Sequence, residues 1–219
     1  MNSVKLIESC ITWQGEGPDS GRRMLMLRFK RCDRNCSWCD TQVRMRNAME
    51  SDYSLHDLQL IIDEQKVALM ITGGEPTWSL NLNQTATLLN KLDFNFANVE
   101  TNGTGLEELI SKVKKEVYVK YILSPKLFTD EDVVFYKNLI TKVFDKGNVY
   151  IKLVCENDSK IIDFLEFLSN LNFMNEKIFL MPEGTTREKL LENSGFVFDM
   201  AEKYKFNFSS RDHIIYNFV

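Results

Sequence analysis

The sequence predicts an α/β protein, a partial (β/α)6-type open barrel with parallel strands. Three observations carry this reading. From residue 50 onward, short apolar runs alternate with helix-like segments. Val67 to Thr72 is apolar up to its last residue, as a strand covered on both faces is. Each run then stops at a polar motif containing Gly, Pro or Asn, as a strand entering a loop does.

Met24 to Lys30 (MLMLRFK) reads as the first buried strand and feeds a cysteine-rich loop. Ser54 to Gln65 reads as a helix with Ser54 as N-cap. Val67 to Thr72 (VALMIT) is a short strand closed by Gly73-Gly74, followed by a helix around Leu82 to Leu92. The next pairs are strand Phe96 to Thr101 with helix Leu106 to Lys114, and strand Val117 to Leu123 with helix Glu131 to Phe144. Strand Val149 to Cys155 with helix Ser159 to Leu171 and strand Lys177 to Met181 complete six strands. A final helix spans about Thr186 to Lys205, with an interruption expected near Gly195. Right-handed crossovers make such a sheet parallel, and six units fall short of a closed eight-fold barrel.

Length and composition fit one domain over residues 1–219: 44% hydrophobic and 26% charged residues suffice for a core, and nothing forces a second domain. No apolar run approaches the ~18 residues of a membrane span. The first residues, MNSVKLIES, lack the features of a secretory signal, so a cytoplasmic location is expected, with no membrane association. The net charge of -4 argues against direct, broad nucleic-acid binding.

Three of the five cysteines, Cys32, Cys36 and Cys39, lie in one C-x3-C-x2-C stretch, which in a reducing compartment points to metal rather than disulfides. Their thiolates suit a 4Fe-4S cluster or zinc. Three ligands leave one iron of a four-iron cluster open to another molecule. A zinc site would need a fourth ligand from Cys10, Cys155, His56 or His213. The motifs CDRNCSWCDT, TGGEPT, ETNGT, LSPK and MPEGT all follow expected strands, and parallel strand ends share one ligand-binding face.

Within these motifs Gly73-Gly74 lets backbone approach a ligand closely; alone the pair would read as a tight turn, but after a buried strand and downstream of the cysteines the ligand reading is favoured. Glu100 and Asn102 offer polar groups or simply a turn, Ser124-Pro125-Lys126 a hydroxyl and a cation, and Glu183 a carboxylate or helix cap. Upstream, Ile11-Thr-Trp-Gln-Gly-Glu-Gly17 places glycines around a carboxylate. Arg28, inside an apolar strand, must meet an anion or an internal partner, for which Glu16 is the candidate.

C-x3-C-x2-C with an adjacent aromatic residue and a downstream GGE resembles the radical S-adenosylmethionine superfamily. WQGEG, LRF before the cysteines, CDT after them, TGGEP, ETNGT, SPK and MPEG together resemble the 7-carboxy-7-deazaguanine synthases, the queuosine-pathway family within it. The resemblance implies a radical SAM fold carrying a 4Fe-4S cluster on Cys32, Cys36 and Cys39. It also implies S-adenosyl-L-methionine as cofactor, with Trp38, Gly74, Ser124, Pro125 and Lys126 around it. The implied substrate is 6-carboxy-5,6,7,8-tetrahydropterin, met by Trp13, Gln14, Gly15, Arg28 and Thr72, with Glu16 and Glu100 as further pocket candidates. The adenosyl radical would abstract hydrogen from pterin C6 before the ring contracts with loss of ammonia. Mg2+ would be held by Thr41, a residue that otherwise reads as a helix cap. No catalytic residue separate from cluster and pocket is implied. A homodimer and an electron donor such as a flavodoxin are expected partners. The stretch Ser209 to His213 matches the family's C-terminal region loosely, and Glu183 stands at a variable position.

Two other readings compete: a glycyl-radical activase using the same cysteine spacing, and a non-enzymatic zinc-stabilised module.

Overall fold

The computed structural model describes residues 2–36, 39, 41, 47–115, 118–171 and 175–218. In chain order the elements are β1 (Ser3–Leu6), β2 (Glu8–Trp13), β3 (Arg23–Phe29), β4 (Ser51–Ser54), α1 (Leu55–Gln65), β5 (Ala68–Gly73), α2 (Ser79–Lys91), β6 (Ala97–Thr101), α3 (Leu106–Lys112) and β7 (Val119–Leu123). They continue with α4 (Asp130–Val143), β8 (Val149–Cys155), α5 (Ser159–Asn170), β9 (Ile178–Pro182), α6 (Arg187–Tyr204), β10 (Asn207–Phe208) and α7 (Asp212–Ile215).

One sheet of eight strands runs β10-β9-β8-β7-β6-β5-β3-β2. Every neighbouring pair is parallel except β2 with β3. The six strands expected from the sequence are therefore the six consecutive strands β3 to β9 of an open α/β sheet. β1 and β4 form a separate antiparallel pair.

Alternation along the strands sorts the side chains into two environments. Leu25, Leu27, Phe29, Leu69, Ile71, Tyr121, Leu123, Ile151, Leu153 and Leu180 enter the main core, where helix residues such as Leu58, Leu89, Tyr136, Ile140 and Phe164 cover them. The intervening residues face the other side. Near the starts of the strands Met24, Met26, Ala68 and Met70 make a smaller apolar cluster. Towards the ends that face becomes polar with Arg28, Thr72, Glu100 and Lys152, and there the cavity opens.

The expected interruption of the last helix is absent: α6 runs unbroken from Arg187 to Tyr204. Gly195 is exposed, with no atom within 4 Å of where its Cβ would stand. It costs the helix about 1 kcal/mol of propensity, which a long helix tolerates. Strands β1, β2, β4 and β10 were not expected. Among the described residues no helix is long and apolar enough to cross a membrane.

Candidate active site

The loops leaving β3, β5, β6, β7 and β9, with the segment after β2 and the C-terminal segment, enclose a cavity of about 640 Å³. Cys32, Cys36, Cys39 and Thr41 line it, as do Trp13, Gln14, Gly15, Arg28 and Thr72. Gly74, Ser124 and Lys126 complete the set of sequence candidates found there. Pro125 is buried but not part of the wall. Trp38 lies outside the described residues.

The cysteines fit a cluster by their chemistry. Burial pushes the Cys32 thiol up to about 12 and raises that of Cys36, the latter against opposing Lys126 and Arg34. Bare thiols there stay protonated, and thiolate ligation requires compensating metal charge. Of the side chains considered as a fourth zinc ligand, Cys155 and His56 stand away from the cavity and His213 lines it. Cys155 is fully buried in the main core, and His56 is exposed on α1. Among the described residues no three His, Cys, Asp or Glu lie close enough to hold a single ion.

The GGE loop is clamped onto the start of the cysteine loop. The Gly74 amide donates to Phe29 O at 2.8 Å and the Glu75 amide to Arg31 O at 2.7 Å. A Cβ on Gly74 would stand 2.0 Å from that Arg31 oxygen, so only glycine permits the approach. Gly73 has φ +104, also glycine territory. Glu75 is buried beneath the loop; it accepts from the Thr77 amide (2.9 Å), the Thr101 hydroxyl (2.6 Å) and the Asn102 amide (2.5 Å). Burial nevertheless raises its pKa to about 6.

Glu8, Arg28 and Thr72 form a row across β2, β3 and β5. Arg28 Nε meets Glu8 Oε2 at 2.7 Å, so its ion-pair partner is Glu8 and not Glu16 as the sequence suggested. Antiparallel β2, unforeseen from sequence, brings Glu8 opposite. Arg28 Nη1 also donates to the Thr41 hydroxyl at 3.3 Å.

Glu16 belongs to a different network. Lys152, 5% exposed, places its ammonium 2.6 Å from both Glu16 Oε2 and Glu100 Oε2. Gln14 closes the ring: its amide nitrogen donates to Glu100 Oε1 at 2.8 Å, and its oxygen accepts from the Glu16 amide at 3.2 Å. Arg211 Nε adds a donor to Glu16 Oε1 at 2.9 Å, and His213 Nε2 lies 3.8 Å from the same oxygen. Burial alone would raise the Glu16 carboxyl; Lys152, Arg211 and His213 reverse that and hold it well below the usual carboxylate range. Burial would likewise discharge Lys152, but Glu100 and Glu16 keep its pKa raised.

Lys152 and Arg211 were missed from sequence. A lysine inside an apolar strand is the same signal that singled out Arg28, and it could have found Lys152. His213 comes into the cavity wall, and its backbone and ring crowd Gly15 so that a Cβ there would lie 2.5 Å from Nδ1. Glu183 is not in the wall; Asn193 donates to its backbone oxygen at 2.7 Å. Ser124 and Lys126 join at 2.7 Å, with the ammonium's pKa lowered by burial.

The family described as a 4Fe-4S single cluster domain matches residues 14–124, just over half of the 219-residue chain. In fold the chain is similar to QueE from Escherichia coli, with TM-score 0.61, 20% identity and coverage of 96% and 95% of the two chains. It is similar also to Streptococcus suis SuiB bound to S-adenosylmethionine, at TM-score 0.55 and 17% identity, over 83% of this chain and 45% of that one. Fold and cysteine cavity together define the class, a radical S-adenosylmethionine enzyme built on one 4Fe-4S cluster. Among curated relatives, the 7-carboxy-7-deazaguanine synthase of Thermoplasma acidophilum is 30% identical over 70% of this chain and 72% of its own. That of Hyperthermus butylicus is 24% identical over 98% and 94%. The chain belongs to the 7-carboxy-7-deazaguanine synthase family.

Proposed function

We propose that the chain converts 6-carboxy-5,6,7,8-tetrahydropterin to 7-carboxy-7-deazaguanine with loss of ammonia. The observation that carries this is one cavity walled both by the three cysteines and by the QGEG and Arg28 residues. Family membership favours it over the activase and zinc-module readings. Cys32, Cys36 and Cys39 would hold a 4Fe-4S cluster, which when bound would supply the electron for reductive cleavage of S-adenosyl-L-methionine.

The chain's own residues bind, orient and exclude water. Gly74 offers backbone to the cofactor, and Ser124 and Lys126 offer a hydroxyl and an ammonium; Pro125 stiffens that loop, and Trp38 is assigned to the adenine. On the substrate side Arg28 pairs with the carboxylate, Thr72 flanks it, and Trp13, Gln14 and Gly15 border the pterin. Trp13, half exposed, forms the rim. Glu16, kept ionised by its cationic neighbours, and Glu100 beside it present carboxylate oxygens suited to a ring edge rich in N–H donors. Thr41, hydrogen-bonded to Arg28, is the side chain we assign to Mg2+, with substrate and water completing its shell. A cytoplasmic homodimer reduced by a flavodoxin-like donor completes the proposal.

The test is an anaerobic assay of reconstituted, reduced protein with the carboxypterin, with and without magnesium. Formation of 7-carboxy-7-deazaguanine is expected. Protein that cleaves S-adenosylmethionine yet leaves the pterin unchanged would sink the substrate assignment.

A further inference from the structure

We infer that Asp33 and Arg34 are positioning residues that fix the cluster-binding loop by gripping two separate anchors in the fold. The inference rests on the cluster reading of Cys32, Cys36 and Cys39 but not on the identity of the substrate. Residues 31–36 carry no regular secondary structure, so side chains must set the path between the first two cysteines. Only three residues, Asp33, Arg34 and Asn35, separate those cysteines.

Asp33 uses both carboxylate oxygens on the loop after β6. Its Oδ1 accepts from Asn102 Nδ2 at 2.9 Å and its Oδ2 from the Thr104 hydroxyl at 2.7 Å. That loop is itself rigid: Asn102 Oδ1 accepts from the Thr104 amide at 2.9 Å, and the Asn102 amide donates to buried Glu75. The next residue reaches elsewhere. Arg34 Nη1 donates to Asp132 Oδ1 at 2.7 Å. Asp132 is buried at the start of α4, where its other oxygen accepts from the Thr129 amide at 3.0 Å and completes a capping box. Arg34 therefore binds a carboxylate that the helix already holds still.

Between the two grips, the Arg34 amide lies 3.4 Å from Cys32 Sγ and donates to it. A hydrogen bond to a ligating sulfur stabilises the reduced, more negative cluster and raises its potential. The consecutive tethers orient that amide. Asp33 stands outside the cavity wall; Arg34 lines it, with Nη1 engaged by Asp132.

The experiment compares Asp33→Ala, Arg34→Met and the single-donor variant Thr104→Val with the wild-type protein, all reconstituted anaerobically. Loss of iron to a chelator should quicken about 10- to 100-fold for the first two, in the range for residues that orient metal ligands. Thr104→Val should fall between, and its mild change keeps the test valid if Asp33→Ala does not fold. The midpoint potential should shift negative and the reduced-cluster paramagnetic resonance signal should change shape. Asp33→Asn and Arg34→Lys, which keep an acceptor and a cation, should recover most of the wild-type behaviour. Unchanged iron release, potential and spectrum in every variant would overturn the inference. So would a lowered melting temperature of the metal-free protein with those three unchanged, because that is a fold-stabilising role. Wild-type protein that holds its cluster but makes no 7-carboxy-7-deazaguanine would defeat the substrate reading alone.

Discussion

Glu8 and Arg28 stand directly opposite each other on antiparallel β2 and β3, with Nε and Oε2 2.7 Å apart. The ion pair fixes the long arginine side chain in one orientation within the cavity wall. With Nε held, the guanidinium is fixed in place for the substrate carboxylate that we assign to it. Arg28→Lys keeps the charge but loses the planar fork. It should cost about 2–3 kcal/mol of transition-state binding, roughly 30- to 150-fold in kcat/KM for the carboxypterin. Iron content and S-adenosylmethionine cleavage without substrate should be unchanged. A variant with normal pterin kinetics would remove Arg28 from the substrate site.

Lys152 joins two carboxylates that would otherwise repel each other out of water. Lys152→Met leaves Glu16 and Glu100 buried together without their shared cation. Breaking a buried pair from one side typically costs about 3–5 kcal/mol. Denaturant unfolding of the metal-free protein should show a loss of that order. Adding Glu100→Gln to Lys152→Met should restore part of it, because one unsupported charge is then removed. An additive or worsened double variant would contradict the ring described above.

The same network sets a pH dependence. Burial would raise the Glu16 carboxyl, but Lys152, Arg211 and His213 together outweigh it and hold the folded group below its ordinary value of 4.5. Its contribution to stability is therefore fully present above about pH 4.5 and is lost as pH falls below it. Comparing wild type with Glu16→Gln in acid unfolding isolates this group. The wild type should lose more stability than the variant between about pH 4.5 and 3. Parallel curves would show that Glu16 does not gain its charge stabilisation from folding.

Gly74→Ala tests the clamp between the GGE loop and the cysteine loop. The added methyl would meet backbone, the Arg31 carbonyl, and not a side chain that could swing aside. Overpacking of this kind costs typically 1–3 kcal/mol. Because the strain falls one residue before Cys32, S-adenosylmethionine affinity and cluster retention should both drop. Equilibrium binding of the cofactor and iron analysis read the two effects separately. Full retention of both would mean that the loops separate freely.

The parallel strands were legible because each is a mostly apolar run between polar motifs, and Val67 to Thr72 ending at Gly73-Gly74 shows the pattern plainly. β2 was not legible: ESCITW alternates weakly, and its place is set by pairing with β3 instead of by its own composition. That omission assigned Arg28 to the wrong glutamate. Most pocket candidates were found through motifs following strands, where topology guarantees convergence. Lys152 and Arg211 escaped because neither lies in a glycine-marked loop, and long-range pairing such as Arg211 with Glu16 leaves no local trace. Gly195 misled for the opposite reason, since local propensity was outweighed by the packing of Leu190, Val197 and Ala201 on either side of it.

Thr41 carries the last prediction. Its hydroxyl lies 3.3 Å from Arg28 Nη1, so an ion held at Thr41 would stand beside the guanidinium and share the substrate carboxylate with it. Two positive groups around one carboxylate make metal and pterin binding mutually favourable, and linkage requires the effect to be reciprocal. Thr41→Ala should therefore raise the magnesium concentration for half-maximal activity on the order of tenfold and raise KM for the pterin with it. Thr41→Ser, which retains the hydroxyl, should restore both. S-adenosylmethionine cleavage without substrate should stay the same in all three proteins, because Thr41 is not assigned to that side of the cavity. Identical magnesium titrations for wild type and Thr41→Ala would place the ion, if one is used, on other ligands.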